Sequence, residues 1–258
     1  MKTPIRIAGL CLLTAAATST SASPIPHPHP IITEVLFDVP PGAAGDASSD
    51  GAREANGDEF VELFNPHPKP INLKGYRIVN RLAAGDLNAA KGFLFVFPDC
   101  ELPPGGIVVL FNGQNSKVNG PIGTSVAAPP QPNPNFNNAL VFVAKAGKSK
   151  PTGFKNDADC TVLETPDARA VDVVVWGAPD PPAPTPADGG RTESVKSKPK
   201  GSVQRLTAEA ALQPHIAIDG KPFSPGVMPA FKSPQDTPAP PSGKPAEKPA
   251  KTDEKPTR

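Results

Sequence analysis

Proline sets the strongest limit on this chain: 37 of its 258 residues are proline, spread along the whole length. A proline inside a helix lacks the amide hydrogen, clashes with the preceding turn and costs about 3 kcal/mol. Long helices are therefore excluded over most of the sequence. Between the prolines lie short runs rich in Val, Ile and Phe: Ile31–Phe37, Glu59–Phe64, Tyr76–Val79, Phe93–Phe97, Ile107–Phe111, Leu140–Ala144 and Ala170–Trp176. Each is fenced by Gly, Pro, Asn or Asp, which supply turn conformations. Several such runs with no sustained helical period predict an all-β sandwich or barrel. Thr207–Leu212 is the only helix candidate, a turn or two long.

The ends differ from this middle. Lys2 and Arg6 precede an apolar run from Ile7 to Ala17, followed by small polar residues up to Ser23. That is the layout of a secretory signal peptide, too short to cross a bilayer as an anchor. Cleavage is expected after Ala22 or Ser23. Leu10 before Cys11 does not suit a lipoprotein site. Pro24–Pro30, Pro-Ile-Pro-His-Pro-His-Pro, reads as an extended lead-in. Residues 31–231 form the expected sandwich domain, with Pro-rich insertions at Ala128–Pro134 and Ala178–Gly190 and a further insertion at Lys145–Lys155. From residue 232 onward Pro, Lys, Ala, Glu and Ser dominate, too few apolar groups to offset ordering entropy, and a disordered tail is expected.

An exported destination gives the cysteines a meaning. Removing the leader leaves Cys100 and Cys160, which are expected to form a disulfide in an oxidising compartment. Closing about 60 residues would stabilise by about 4 kcal/mol in the chain-entropy picture. Lys and Arg number 26 and Asp and Glu 25, a net charge of +1. No global field draws the chain to nucleic acid or acidic lipid, so nucleic acid is not an expected partner.

Seven stretches resemble a known family in its order. Ile32-Thr33-Glu34-Val35 is similar to its opening strand, and Gly57-Asp58-Glu59-Phe60-Val61-Glu62-Leu63-Phe64-Asn65 to its most characteristic one. Ile71-Asn72-Leu73-Lys74-Gly75-Tyr76-Arg77-Ile78 matches its turn into the next strand. Leu102–Gly105, Val171–Val174, Ser202–Arg205 and Phe223–Gly226 resemble later landmarks. On these residues the chain resembles the lamin tail domain, an immunoglobulin-like β-sandwich also found in bacterial exported proteins. Departures occur at Ser224, where Thr is usual, and at Met228-Pro229 in place of a closing Asn. The resemblance implies a non-catalytic frame that presents loops to a protein or glycan at the cell surface or outside it. Because such domains accompany secreted nucleases and phosphatases, it also raises an accessory role beside a hydrolase. A secreted hydrolase in its own right and a structural envelope protein are the remaining alternatives.

Candidate chemistry is sparse. No Gly-x-Ser-x-Gly elbow, His-Glu-x-x-His pair or phosphate-cradling Gly-Lys-Ser/Thr loop occurs, so no enzyme is expected. His27 and His29 lie in the lead-in, a weak Cu²⁺ or Zn²⁺ motif, while His67 and His215 sit beside prolines in expected loops. Asp46, Asp50, Glu54 and Asp58 cluster on one loop. Carboxylates so placed can wrap Ca²⁺, although the spacing is not that of an EF-hand; a solvated loop with no cofactor is the reading expected first. By the two-residue period Glu62 lies between Phe60 and Phe64, so it is buried and needs a partner. Arg205 or Arg77 would supply it, and a Glu62–Arg205 ion pair is the pairing expected first. The tail lysines, Lys244, Lys248, Lys251 and Lys255, suit either an anionic surface polymer or a solvated spacer.

Overall fold

A computed structural model describes residues 28–118, 131–144, 153–187, 189–196 and 198–229. The expected signal segment 1–23, residues 24–27 of the lead-in and the tail from 232 lie outside the described residues. Among the described residues fourteen strands follow in chain order. They are β1 (Ile31–Leu36), β2 (Phe60–Phe64), β3 (Ile71–Asn72), β4 (Arg77–Asn80), β5 (Leu94–Val96), β6 (Glu101–Leu102), β7 (Ile107–Phe111), β8 (Pro132–Asn133), β9 (Ala139–Val143), β10 (Asp159–Glu164), β11 (Ala170–Trp176), β12 (Arg191–Val195), β13 (Val203–Gln204) and β14 (Gln213–Pro214). One helical turn, α1 (Ile216–Asp219), comes after them.

The strands form a seven-stranded sheet in the order β14-β13-β1-β2-β7-β9-β8 and a five-stranded sheet in the order β12-β11-β10-β4-β5. β3 and β6 make a small ribbon. The fold is the all-β sandwich the sequence predicts. Between the two large sheets, Phe95, Phe97 and Phe142 meet edge to face at 5.0 to 5.7 Å between ring centres. Val61, Leu63, Val108, Leu110, Leu163 and Val174 fill the same layer.

Both sheets also carry apolar residues on their outer faces, which loops cover. On the seven-stranded sheet, Phe60, Val109, Phe111 and Val141 pack under Phe136 and Phe223. On the five-stranded sheet, Val79, Cys160, Val162 and Val173 pack under Ala83 and Ala183. β11 divides between the two layers: Val174 and Trp176 face the core while Val173 and Val175 lie under the loop. A register irregularity opposite Leu163 and Glu164 puts Val171 on the core side as well. Gly75, at φ +80°, holds a left-handed turn conformation that favours glycine.

Three expectations about elements change. β10, the central strand of the smaller sheet, was not among the predicted runs, and neither was β12. Thr207–Leu212 is not helical; the helical turn falls at Ile216–Asp219. The carbonyls of Ala208 and Ala210 accept instead from Arg191 and Arg205.

Candidate functional site

The acidic loop spends its carboxylates on its own backbone. Asp46 accepts from the N–H groups of Asp50 and Gly51, at 3.1 and 2.9 Å. Asp58 accepts from Ser48 and Glu54, at 2.8 and 2.6 Å. Asp50 turns the other way and accepts from the Lys117 N–H and the Ser116 hydroxyl. The expected Ca²⁺ set of Asp46, Asp50, Glu54 and Asp58 therefore does not converge. Among the described residues no group of three or more His, Cys, Asp or Glu side chains is placed to hold a metal.

The expected Cys100–Cys160 disulfide is also corrected. Both cysteines are free thiols, and both are buried. Cys100 packs in the layer between the sheets, whereas Cys160 packs on the outer face of the smaller sheet, so β10 and its neighbours lie between them. Burial pushes Cys100 up to about 11 and Cys160 up to about 12, which leaves neither thiol reactive at neutral pH.

The expected Glu62–Arg205 ion pair does not form. In the β1–β13 pairing Gln204 stands opposite Glu34, and Glu34 stands opposite Glu62 across β2. Those three side chains share the outer face, so Arg205, one residue on, points to the other side. There its guanidinium is fully buried, donates to the Ile32 carbonyl at 2.8 Å and pairs with Glu193, with Asp172 at 3.9 Å. Asp172 is held in turn by Arg191, through two bonds of 3.0 and 3.1 Å, and by the Ile32 N–H at 2.8 Å. Arg77 is occupied as well, 3.3 Å from Glu164. Glu62 instead accepts from the Thr33 hydroxyl at 2.7 Å and the Gly226 N–H at 2.8 Å.

Beside that carboxylate lies an arrangement the sequence reading missed. Nδ1 of His215 donates to the Lys221 carbonyl at 2.9 Å and lies 3.3 Å from Asp219. With the proton there, Nε2 accepts from the Ser224 hydroxyl at 2.7 Å. Serine, histidine and aspartate thus stand in nucleophile, base and orienter order. Among the described residues, the backbone N–H groups around the serine are not free for a developing oxyanion. The Ser224 N–H goes to Glu34, residue 225 is proline, and the Gly226 N–H goes to Glu62.

A groove of about 240 Å³ opens where three segments meet: the one after β1, the one before β10 and the one after β12. Phe37 and Trp176 stack at 4.1 Å to form its floor, with the Trp176 indole N–H held by the Lys155 carbonyl. Asn156, Asp157, Lys196 and Lys198 form its rim. Lys198 bridges Asp38 at 3.1 Å and Asp157 at 3.7 Å, and Asn156 donates to Asp38 at 2.5 Å. The hydrogen bond it donates to Asp38 raises the Lys198 ammonium above its ordinary value. The aromatic pair is almost wholly covered, so what the groove offers is both signs of charge and an amide, a mixture suited to hydroxyl and peptide groups.

The family model of the lamin tail domain matches residues 25–178, and so covers both the opening strands and the groove floor. The chain belongs to the lamin tail domain family. That family is immunoglobulin-like and non-catalytic and often serves in binding. No curated protein matches the chain. Among the described residues of this lamin tail domain, no helix is long and apolar enough to cross a membrane.

Proposed function

We propose that the chain is an exported, non-catalytic binding or adhesion module that recognises a protein or glycan of the cell surface or extracellular space. The observation that carries this reading is the groove between Phe37, Trp176, Asn156, Asp157, Lys196 and Lys198. Its rim comes from loops, which a sandwich frame holds in place and which tolerate change without unfolding the core. The N-terminal leader layout supports export, and the family supports binding.

The test compares the wild-type chain with Lys196→Glu/Lys198→Glu on a glycan array and against envelope proteins. Both lysines are exposed, so the fold should persist. We expect specific retention by the wild type and at least about tenfold weaker retention by the variant, the effect of losing about 1.4 kcal/mol. Equal retention would remove the groove from the proposal, and no retention of the wild type above a control protein would remove the proposal itself.

A second reading, a secreted hydrolase, is favoured by the Ser224–His215–Asp219 geometry. Its weakness is the spent N–H groups around Ser224. Turnover of phosphodiester, phosphomonoester or ester substrates that disappears in Ser224→Ala would establish it over the first.

A further inference from the structure

A strap crosses the outer face of the seven-stranded sheet. Phe223 meets Phe60 edge to face at 6.5 Å, and Met228 packs with Ile31 and Phe64. Between these two apolar anchors the strap lies over a pair of glutamates. Glu34 and Glu62 stand opposite each other on β1 and β2, both without solvent exposure. Gly226 passes so close that a Cβ there would sit 2.3 Å from the Phe136 carbonyl oxygen, and its φ is +88°.

Neutral groups surround the pair. Glu34 accepts from the Ser224 N–H at 3.0 Å, the Ser202 hydroxyl at 2.5 Å and the Gln204 amide at 3.1 Å. Glu62 accepts from Thr33 and from the Gly226 N–H. Its neighbour across β7 is Val109, and the partner of Glu34 across β13 is Gln204. From α1 comes Asp219, which adds negative charge and is itself bridged by Lys221 at 3.9 Å; His215 reaches the pair only through Ser224. Arg205 lies on the far side of the sheet with Asp172 and Glu193.

Two facing carboxylates in such a site cannot both carry charge at ordinary cost. The structure has a place for the missing proton. Ser202 Oγ is 2.5 Å from Glu34 and 3.3 Å from the Pro222 carbonyl oxygen. A protonated Glu34 can donate to Ser202 while Ser202 passes its own hydrogen to Pro222, on the strap.

We propose that Glu34 and Glu62 are a pH-sensitive clasp, which holds the Pro222–Met228 strap while the pair keeps its protons and lets it lift as the medium turns alkaline. Burial, and then the facing Glu62, raises Glu34 well above the carboxylate range; burial pushes Glu62 up to about 8. Both folded values lie above the unfolded ones. The stabilisation is therefore complete below the unfolded value near ~4.3 and is lost as pH rises through about 8. Each extra proton bound by the folded state makes unfolding about tenfold more favourable per pH unit over that window.

The test follows the Glu side-chain carboxyl carbons by NMR in the full chain, together with amide exchange at Ser224 and Gly226 relative to Val109 in the sheet. We expect the Glu62 carboxyl to titrate near 8, and strap exchange to gain on Val109 between pH 6 and 9. Glu62→Gln should flatten that gain. Titration of both glutamates near ~4.3, or an exchange ratio constant with pH, overturns the clasp. The wild-type measurements decide even if the variant does not fold.

Discussion

Replacing Arg205 by Met keeps most of the side-chain volume and deletes the guanidinium, which tests whether this buried cation ties the two sheets together. The Ile32 carbonyl would lose its 2.8 Å donor and the Ala210 carbonyl its 2.5 Å donor. Each buried acceptor left without a partner costs about 1–3 kcal/mol. Glu193 would also lose its cation. Breaking one side of a buried ion pair costs about 3–5 kcal/mol; the Ala210 carbonyl is only partly buried, and burial of the Met side chain offsets about what the two carbonyls lose, so a total of about 3–5 kcal/mol is expected. For a domain of this size that lowers the melting temperature by about 6–20 °C. Urea unfolding at pH 7 followed by Trp176 fluorescence measures it, and adding Glu193→Gln should recover part of the loss. A loss under about 1 kcal/mol would refute the reasoning. So would strong coupling between Arg205→Met and Glu62→Gln, because the two side chains face opposite sides of the sheet.

Two further outcomes follow from the loop and the thiols. Asp58→Asn removes one of two acceptors at 2.8 and 2.6 Å and turns an amide donor toward an N–H, for a loss of about 1–3 kcal/mol in urea unfolding. Millimolar Ca²⁺ should not restore it, and a rise in wild-type melting temperature with Ca²⁺ would contradict the loop geometry. Cys100 and Cys160 should resist a thiol reagent at pH 8 in the folded protein and both react after unfolding without reductant. One reactive thiol, or none, in the unfolded unreduced chain would contradict two free cysteines.

The fold was legible where strands are apolar and fenced by turn residues, as in Ile107–Phe111 and Ala170–Trp176. β10 escaped because its apolar centre is short and its ends are Asp159 and Glu164. Those acids are accommodated in the sheet by Arg81 and Arg77, on or beside β4, which meet them at 3.2 and 3.3 Å, and by further N–H donors. β12 reads Arg-Thr-Glu-Ser-Val, a polar edge strand with no apolar period, and it pairs in parallel with β11. Thr207–Leu212 has helix-forming residues, but six residues cannot sustain a helix without packing, and arginines claim its carbonyls. The groove was illegible for another reason: Asp38, Asn156 and Lys198 meet only through the topology. The disulfide expectation came from compartment and cysteine count, which say nothing of which face of a sheet a residue occupies.

The sequence reading did establish that Glu62 is buried and needs a partner; it erred in assuming that the partner must be a cation. β1 shows why both answers occur in one fold. On its core side, Ile32 gives its carbonyl to Arg205, a cation throughout the working pH range, and its N–H to Asp172. On its outer side, Glu34 faces a second carboxylate and a strap of neutral donors, where charge depends on pH. Titration should therefore loosen the strap while the joint between the sheets persists. It follows that Arg205→Met should lower stability by the same amount at pH 5.5 and at pH 8.5, its curve running parallel to that of the wild type. If instead the two curves converge in alkali, the charges on the two sides of β1 act as one network and the division drawn between them is wrong.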